Sequence, residues 1–209
     1  ADDVLEQIDE VSQASEFLPR IQLITKGKYV DTGKIGPGRW GVPQPGGEDI
    51  TDLGDKIDVI PLDARAKALD VSDKENIISV YDTSDPEYQR IKNAPKNSGC
   101  MYGPSFLVVE RSTGKLYEMF FSNKSGRNEA GKMKPFLVGR TPCTLSIRYK
   151  KGPDYGWHVP VISKCSEPFS PDNVPSMEVI NKELEKFRNP EKGGDEKVSE
   201  EEVPTGRAR

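Results

Sequence analysis

The chain has 209 residues, enough for one well-buried domain with appendages, and its 30 Lys and Arg against 34 Asp and Glu leave a net charge of −4. With 34% hydrophobic and 31% charged residues it is polar for a globular chain, so part of it is expected outside any core. No apolar run approaches the roughly 20 residues that span a bilayer, and residues 1–10 are acidic rather than a basic leader, which predicts a soluble, cytoplasmic protein without membrane contact.

In chain order, Val4, Leu5, Ile8 and Val11 fall at helical spacing, so residues 1–16 read as an acidic helical arm. From Phe17 the text becomes strand, turn and loop, with Gly and Pro crowding residues 33–47. Strands are expected over 57–71 and 76–82. Asp85 before Pro86 is a helix start, because Asp caps free amides and Pro suits the first helical position; that helix runs to about residue 93. A hairpin turned at Ser112-Thr113-Gly114 follows, then a loop with a short helix, then a second hairpin turned at Gly152-Pro153-Asp154. Residues 170–188 form a Pro-rich link and an amphipathic helix with Met177, Ile180, Leu184 and Phe187 on one face. Residues 189–209 have almost no apolar content and are expected to be disordered. Many short strands with glycine turns make the fold mainly β, an antiparallel OB-like barrel over residues 17–169. Pro160 suits an edge strand there better than a central one.

Charge is unevenly spread along the chain. Residues 1–16 carry six acids and no base, residues 17–89 thirteen acids and nine bases, and residues 170–209 ten acids and seven bases; residues 90–169 carry fourteen bases and only five acids. Such a block points to a polyanionic partner.

Catalytic signatures are missing. His158 is the lone histidine, so any serine triad would need it, and no nucleophile elbow accompanies it. The pairs Glu48 with Asp49 and Asp52 with Asp55 could hold Mg²⁺ as in a metal-dependent nuclease, but they read better as a solvated loop. "GKIGPGRWG" lacks the Gly-Lys-Ser/Thr ending of a phosphate-binding loop. Cys100, Cys143, His158 and Cys165 make up one set of zinc ligands, yet their spacing contains no Cys-x-x-Cys knuckle; three widely spaced cysteines read as reduced thiols and small buried hydrophobes. No enzyme and no cofactor are predicted.

What survives is basic residues interleaved with aromatics, the composition that holds single-stranded nucleic acid without reading its sequence. The candidates are Lys34, Arg39 and Trp40; Tyr102; Tyr117 and Phe121 with Lys124 and Arg127; Lys132 and Lys134; and Arg148, Lys150, Lys151 and Tyr155. Alternation assigns Leu145, Ile147 and Tyr149 to a core face and Arg148 and Lys150 to the other; Trp157 also reads as core, leaving Tyr155 as the stacking ring.

The stretches "SGCMYGPSFLVVERSTGKLYEMFFSNKS" and "YGWHVPVISKCSEP", with the acidic end of the chain, resemble phage-type single-stranded DNA-binding proteins over about residues 17–169. The resemblance implies an OB-fold body that coats exposed DNA strands in replication and recombination. It also implies an acidic C-terminal tail, matched by Asp195, Glu196, Glu200, Glu201 and Glu202, that recruits replication or recombination proteins. The final "VPTGRAR" departs from the acidic, aromatic-ended tails of that family. The rival reading is a virion structural or assembly protein, since terminal helices suit docking between copies in a homo-oligomer.

Overall fold

A computed structural model describes residues 18–190; the helical arm expected over residues 1–16, and all but the first two residues of the tail expected over residues 189–209, lie outside the described residues. The elements are β1 (Gln22–Ile24), α1 (Lys28–Asp31), β2 (Arg39–Pro43), β3 (Ile50–Gly54), β4 (Lys56–Asp70), β5 (Ile78–Val80), α2 (Pro86–Lys92), β6 (Cys100–Glu110), β7 (Lys115–Phe120), α3 (Lys124–Ala130), α4 (Lys134–Gly139), β8 (Cys143–Lys151), β9 (Gly156–Lys164) and α5 (Met177–Arg188). The fold is mainly β and every strand pairing between these elements is antiparallel.

Strand β4 organises the molecule. It pairs with β6 along most of its length, while its other side pairs with β8 over Lys56–Val59 and with β5 over Ala68–Asp70. The main sheet therefore runs β7-β6-β4-β8-β9 with β5 beside β4, and β1-β2-β3 form a separate small sheet. The expected barrel is not closed: among the described residues no pairing joins β7 to β9. Pro160 sits in β9, an edge strand, where a missing amide is tolerated.

A bulge between Pro61 and Asp63 resets the alternation of β4. Before it, Ile57 and Val59 face the main core; after it, Ala64 does, so odd positions give way to even ones on one face. That core collects Phe106, Val108, Tyr117, Met119, Leu145 and Trp40 between the main sheet and the small one. On the opposite face Leu62, Leu107, Val109 and Leu116 pack against Ile180, Leu184 and Phe187 of α5. Each of these helix side chains contributes roughly 1.5–3 kcal/mol by burial. The Ser176 hydroxyl caps α5 by accepting from the Val179 amide, and Asp85 caps α2 by accepting from Glu87.

The face under α5 also buries charge. Glu118 meets Lys67 and Arg65 at 2.8 and 2.7 Å, and Arg20 at 3.1 Å. Arg65 is stacked between the rings of Tyr81 and Phe187, 4.0 Å from each, and donates to the Phe187 carbonyl, which ties the end of α5 to the sheet. Burial alone would push the Glu118 carboxyl up; the three cations outweigh it and hold that carboxyl well below the usual range. No helix among the described residues is long and apolar enough to cross a membrane.

Candidate nucleic-acid interface

Strands β8 and β9 pair over nine residues each, from Cys143 opposite Lys164 to Lys151 opposite Gly156. The base of this hairpin is core, with Leu145 and Ile162 buried, and the Trp40 indole donates to the Leu145 carbonyl at 3.1 Å. Beyond Ile147 strand β8 outruns that core and becomes exposed, while its partners in β9 are half-buried over Gly156, Trp157 and His158 and buried at Val159. Register then places Arg148 opposite Val159 and Lys150 opposite Trp157 on one face, and Tyr149 opposite His158 on the other. The Tyr155 ring lies 5.5 Å from Trp157, and Tyr149 lies 5.0 Å from His158. Tyr149 is 57% exposed and Tyr155 46% exposed. At Gly156 a Cβ would stand 1.8 Å from the Tyr149 hydroxyl, so the absence of a side chain lets that ring lie across the partner strand. Arg148, Lys150 and Lys151 are exposed, and none is paired with a carboxylate among the described residues.

A second feature lies where β4 has no strand between β5 and β8. There the sheet face is floored by Ala64, Ala66, Gly103 and Pro104, and walled by Tyr88 of α2 and by Tyr102 and Arg127, leaving an open groove of about 450 Å³. The Arg127 guanidinium sits 4.1 Å over the Tyr102 ring and donates to the carbonyls of Tyr102 and Ser122; the Lys92 ammonium is 5.8 Å from the same ring. Gly103 is required by close approach, because a Cβ would fall 1.9 Å from the Phe121 carbonyl oxygen. Burial, and next the neighbouring Tyr102, push the Tyr88 phenol upward.

The other expected positions do not join these two sites. Trp40, Tyr117 and Phe121 are buried in the main core, Trp40 to 2% exposure, which removes them as stacking rings. Lys34 is paired with Asp49 at 2.7 Å, Arg39 with Asp52 at 2.8 Å and Lys132 with Glu129 at 3.0 Å, so their charge is locally balanced. The same pairs occupy two of the acids considered for Mg²⁺. Lys124 and Lys134 are exposed on α3 and α4. Tyr149, expected in the core, is exposed, and Trp157 is half-buried beside Tyr155. The zinc set does not converge: Cys143 lies in the main core and Cys100 in a separate cluster with Tyr88 and Ile91, and no metal-ligating group forms among the described residues. Burial pushes the Cys143 thiol up to about 12.

No protein-family model matches this sequence, and no curated protein or solved structure matches it significantly.

Proposed function

We propose that this protein binds single-stranded DNA without reading its sequence, as a non-enzymatic component of phage replication or recombination. The carrying observation is the β8–β9 hairpin, which holds three exposed cations without carboxylate partners among the described residues, Arg148, Lys150 and Lys151, beside the exposed rings of Tyr149 and Tyr155. Cations neutralise phosphates and release counterions, while exposed rings accept unstacked bases; duplex DNA offers the first contact and not the second. In this reading the antiparallel body serves as an OB-like platform and the hairpin as the loop that closes over the strand.

The test is a titration of full-length protein with a labelled oligothymidylate and with a duplex of equal length at several salt concentrations. The expected result is tight, salt-sensitive binding to the single strand and weak binding to the duplex. The double variant Lys150→Ala/Lys151→Ala should flatten the plot of log affinity against log salt by about 1.4, at roughly 0.7 per single-strand phosphate contact. No single-strand binding at low salt, or an unchanged slope in the double variant, would overturn the proposal.

A further inference from the structure

We infer that the groove between α2 and α3 receives one unstacked nucleobase of the bound strand, with the Arg127 guanidinium as its stacking platform. The inference rests on the single-strand reading and deepens it by giving the strand a second contact away from the hairpin.

The groove has the form such a ligand needs. Its floor is Ala64, Ala66, Gly103 and Pro104, so the sheet face carries only small side chains there, although the same face carries Val59 and Phe106 on one side and Val80, with Ile91 packed on it, on the other. Its volume of about 450 Å³ falls in the ordinary range for sites that take a small planar group. The guanidinium is held in place over the Tyr102 ring and by two backbone carbonyls that accept from Nη1. A planar cation fixed in this way stacks on a base without the loss of side-chain freedom that a mobile arginine suffers. Among the described residues no carboxylate lines the groove, and Lys92 and Arg127 flank it, which favours a ligand carried on an anionic backbone. The hairpin is within reach of the same strand: α3, which bears Arg127, packs directly on β9, and a helix is about 10 Å across.

The experiment uses full-length protein, the variants Ala66→Leu and Arg127→Lys, and a labelled oligothymidylate of about 16 nucleotides, the upper site size of a single OB-type domain. Ala66→Leu fills the floor without touching any charge. Arg127→Lys keeps the charge and removes the plane. Each is expected to weaken binding about 5- to 150-fold, the range of one lost stacking contact (about 1–3 kcal/mol), with the salt slope unchanged because no phosphate contact is lost. Thermal melting checks that each variant is folded, and if Ala66→Leu is not, Arg127→Lys carries the test, since it adds no bulk.

Wild-type binding with both folded variants unaffected would overturn the inference and leave the functional reading standing. A loss of affinity accompanied by a flatter salt slope would make the groove a phosphate contact and would overturn it too. Wild-type protein that ignores single strands would sink the functional reading, and the inference with it.

Discussion

Replacing Glu118 by glutamine tests whether the buried charge cluster stabilises the fold. Lys67 is fully buried and its ammonium lies 2.8 Å from Glu118, whose other oxygen takes Arg65 at 2.7 Å. Removing one partner of a buried pair costs about 3–5 kcal/mol, because the remaining charge stays desolvated. For a body of this size each kcal/mol lowers the melting temperature by about 2–4 °C, so the variant should melt about 6–20 °C below the wild type at pH 7. The pH dependence has a definite sign. The Glu118 carboxyl is held below its ordinary value near 4.5, so its contribution is complete above that value and is lost as pH falls through it towards the lower folded one. The deficit of Glu118→Gln should therefore be largest at neutral pH and shrink in acid, followed by circular dichroism at pH 7, 5 and 3.5 within the range of ordinary carboxylate titration. A variant that melts with the wild type at pH 7, or a deficit that widens on acidification, would refute the reasoning.

Two further outcomes follow from the packing. The Cys143 thiol, buried in the main core and pushed up to about 12, should resist a disulfide reagent at pH 8 in the native protein and react only after denaturation; rapid native labelling of all three cysteines would contradict it. Gly103→Ala drives a Cβ to within 1.9 Å of the Phe121 carbonyl and should cost about 1–3 kcal/mol, whereas Gly131→Ala, whose new atom meets nothing within 4 Å, should melt like the wild type.

The local devices of the fold were readable because a few neighbouring residues determine them. Asp85-Pro86 starts α2, the turns at Ser112-Thr113-Gly114 and Gly152-Pro153-Asp154 close their hairpins, and Ile180, Leu184 and Phe187 seat α5. Met177, on the same helical face by spacing, is exposed because it is the first residue of that helix and lies outside the cluster that seats it. The misread positions depend on distant partners. Trp40 sits in a stretch full of Gly and Pro, and its burial is decided by the strand that holds Leu145, 105 residues away. Tyr149 shares a face with Leu145 as alternation requires, yet its strand outruns the core, so the parity was right and the depth was not. Tyr117 and Glu118 point to opposite faces, and neither face is wet because the small sheet covers one and α5 the other. The open groove had no local signature at all: its floor is alanine, glycine and proline from two strands, and it is open because no other described residue packs there.

The net charge of −4 understates how positive the hairpin side of the molecule is. Among the five acids of the basic block, Glu118 is consumed by Lys67, Arg65 and Arg20, and Glu110 by the hydroxyls and amides of Ser112 and Thr113. Glu129 is paired with Lys132. That leaves Asp154 and Glu167 exposed with Arg148, Lys150, Lys151 and Lys164. Within this block, then, three of the five acids are taken up by internal partners, while the hairpin cations keep their exposure. The described residues carry 26 bases against 22 acids before any burial is considered, so the body is net positive although the whole chain is acidic. For that reason the proposed single-strand binding is tested more sharply by its salt dependence, which the few exposed cations of the hairpin would set, than by the overall charge.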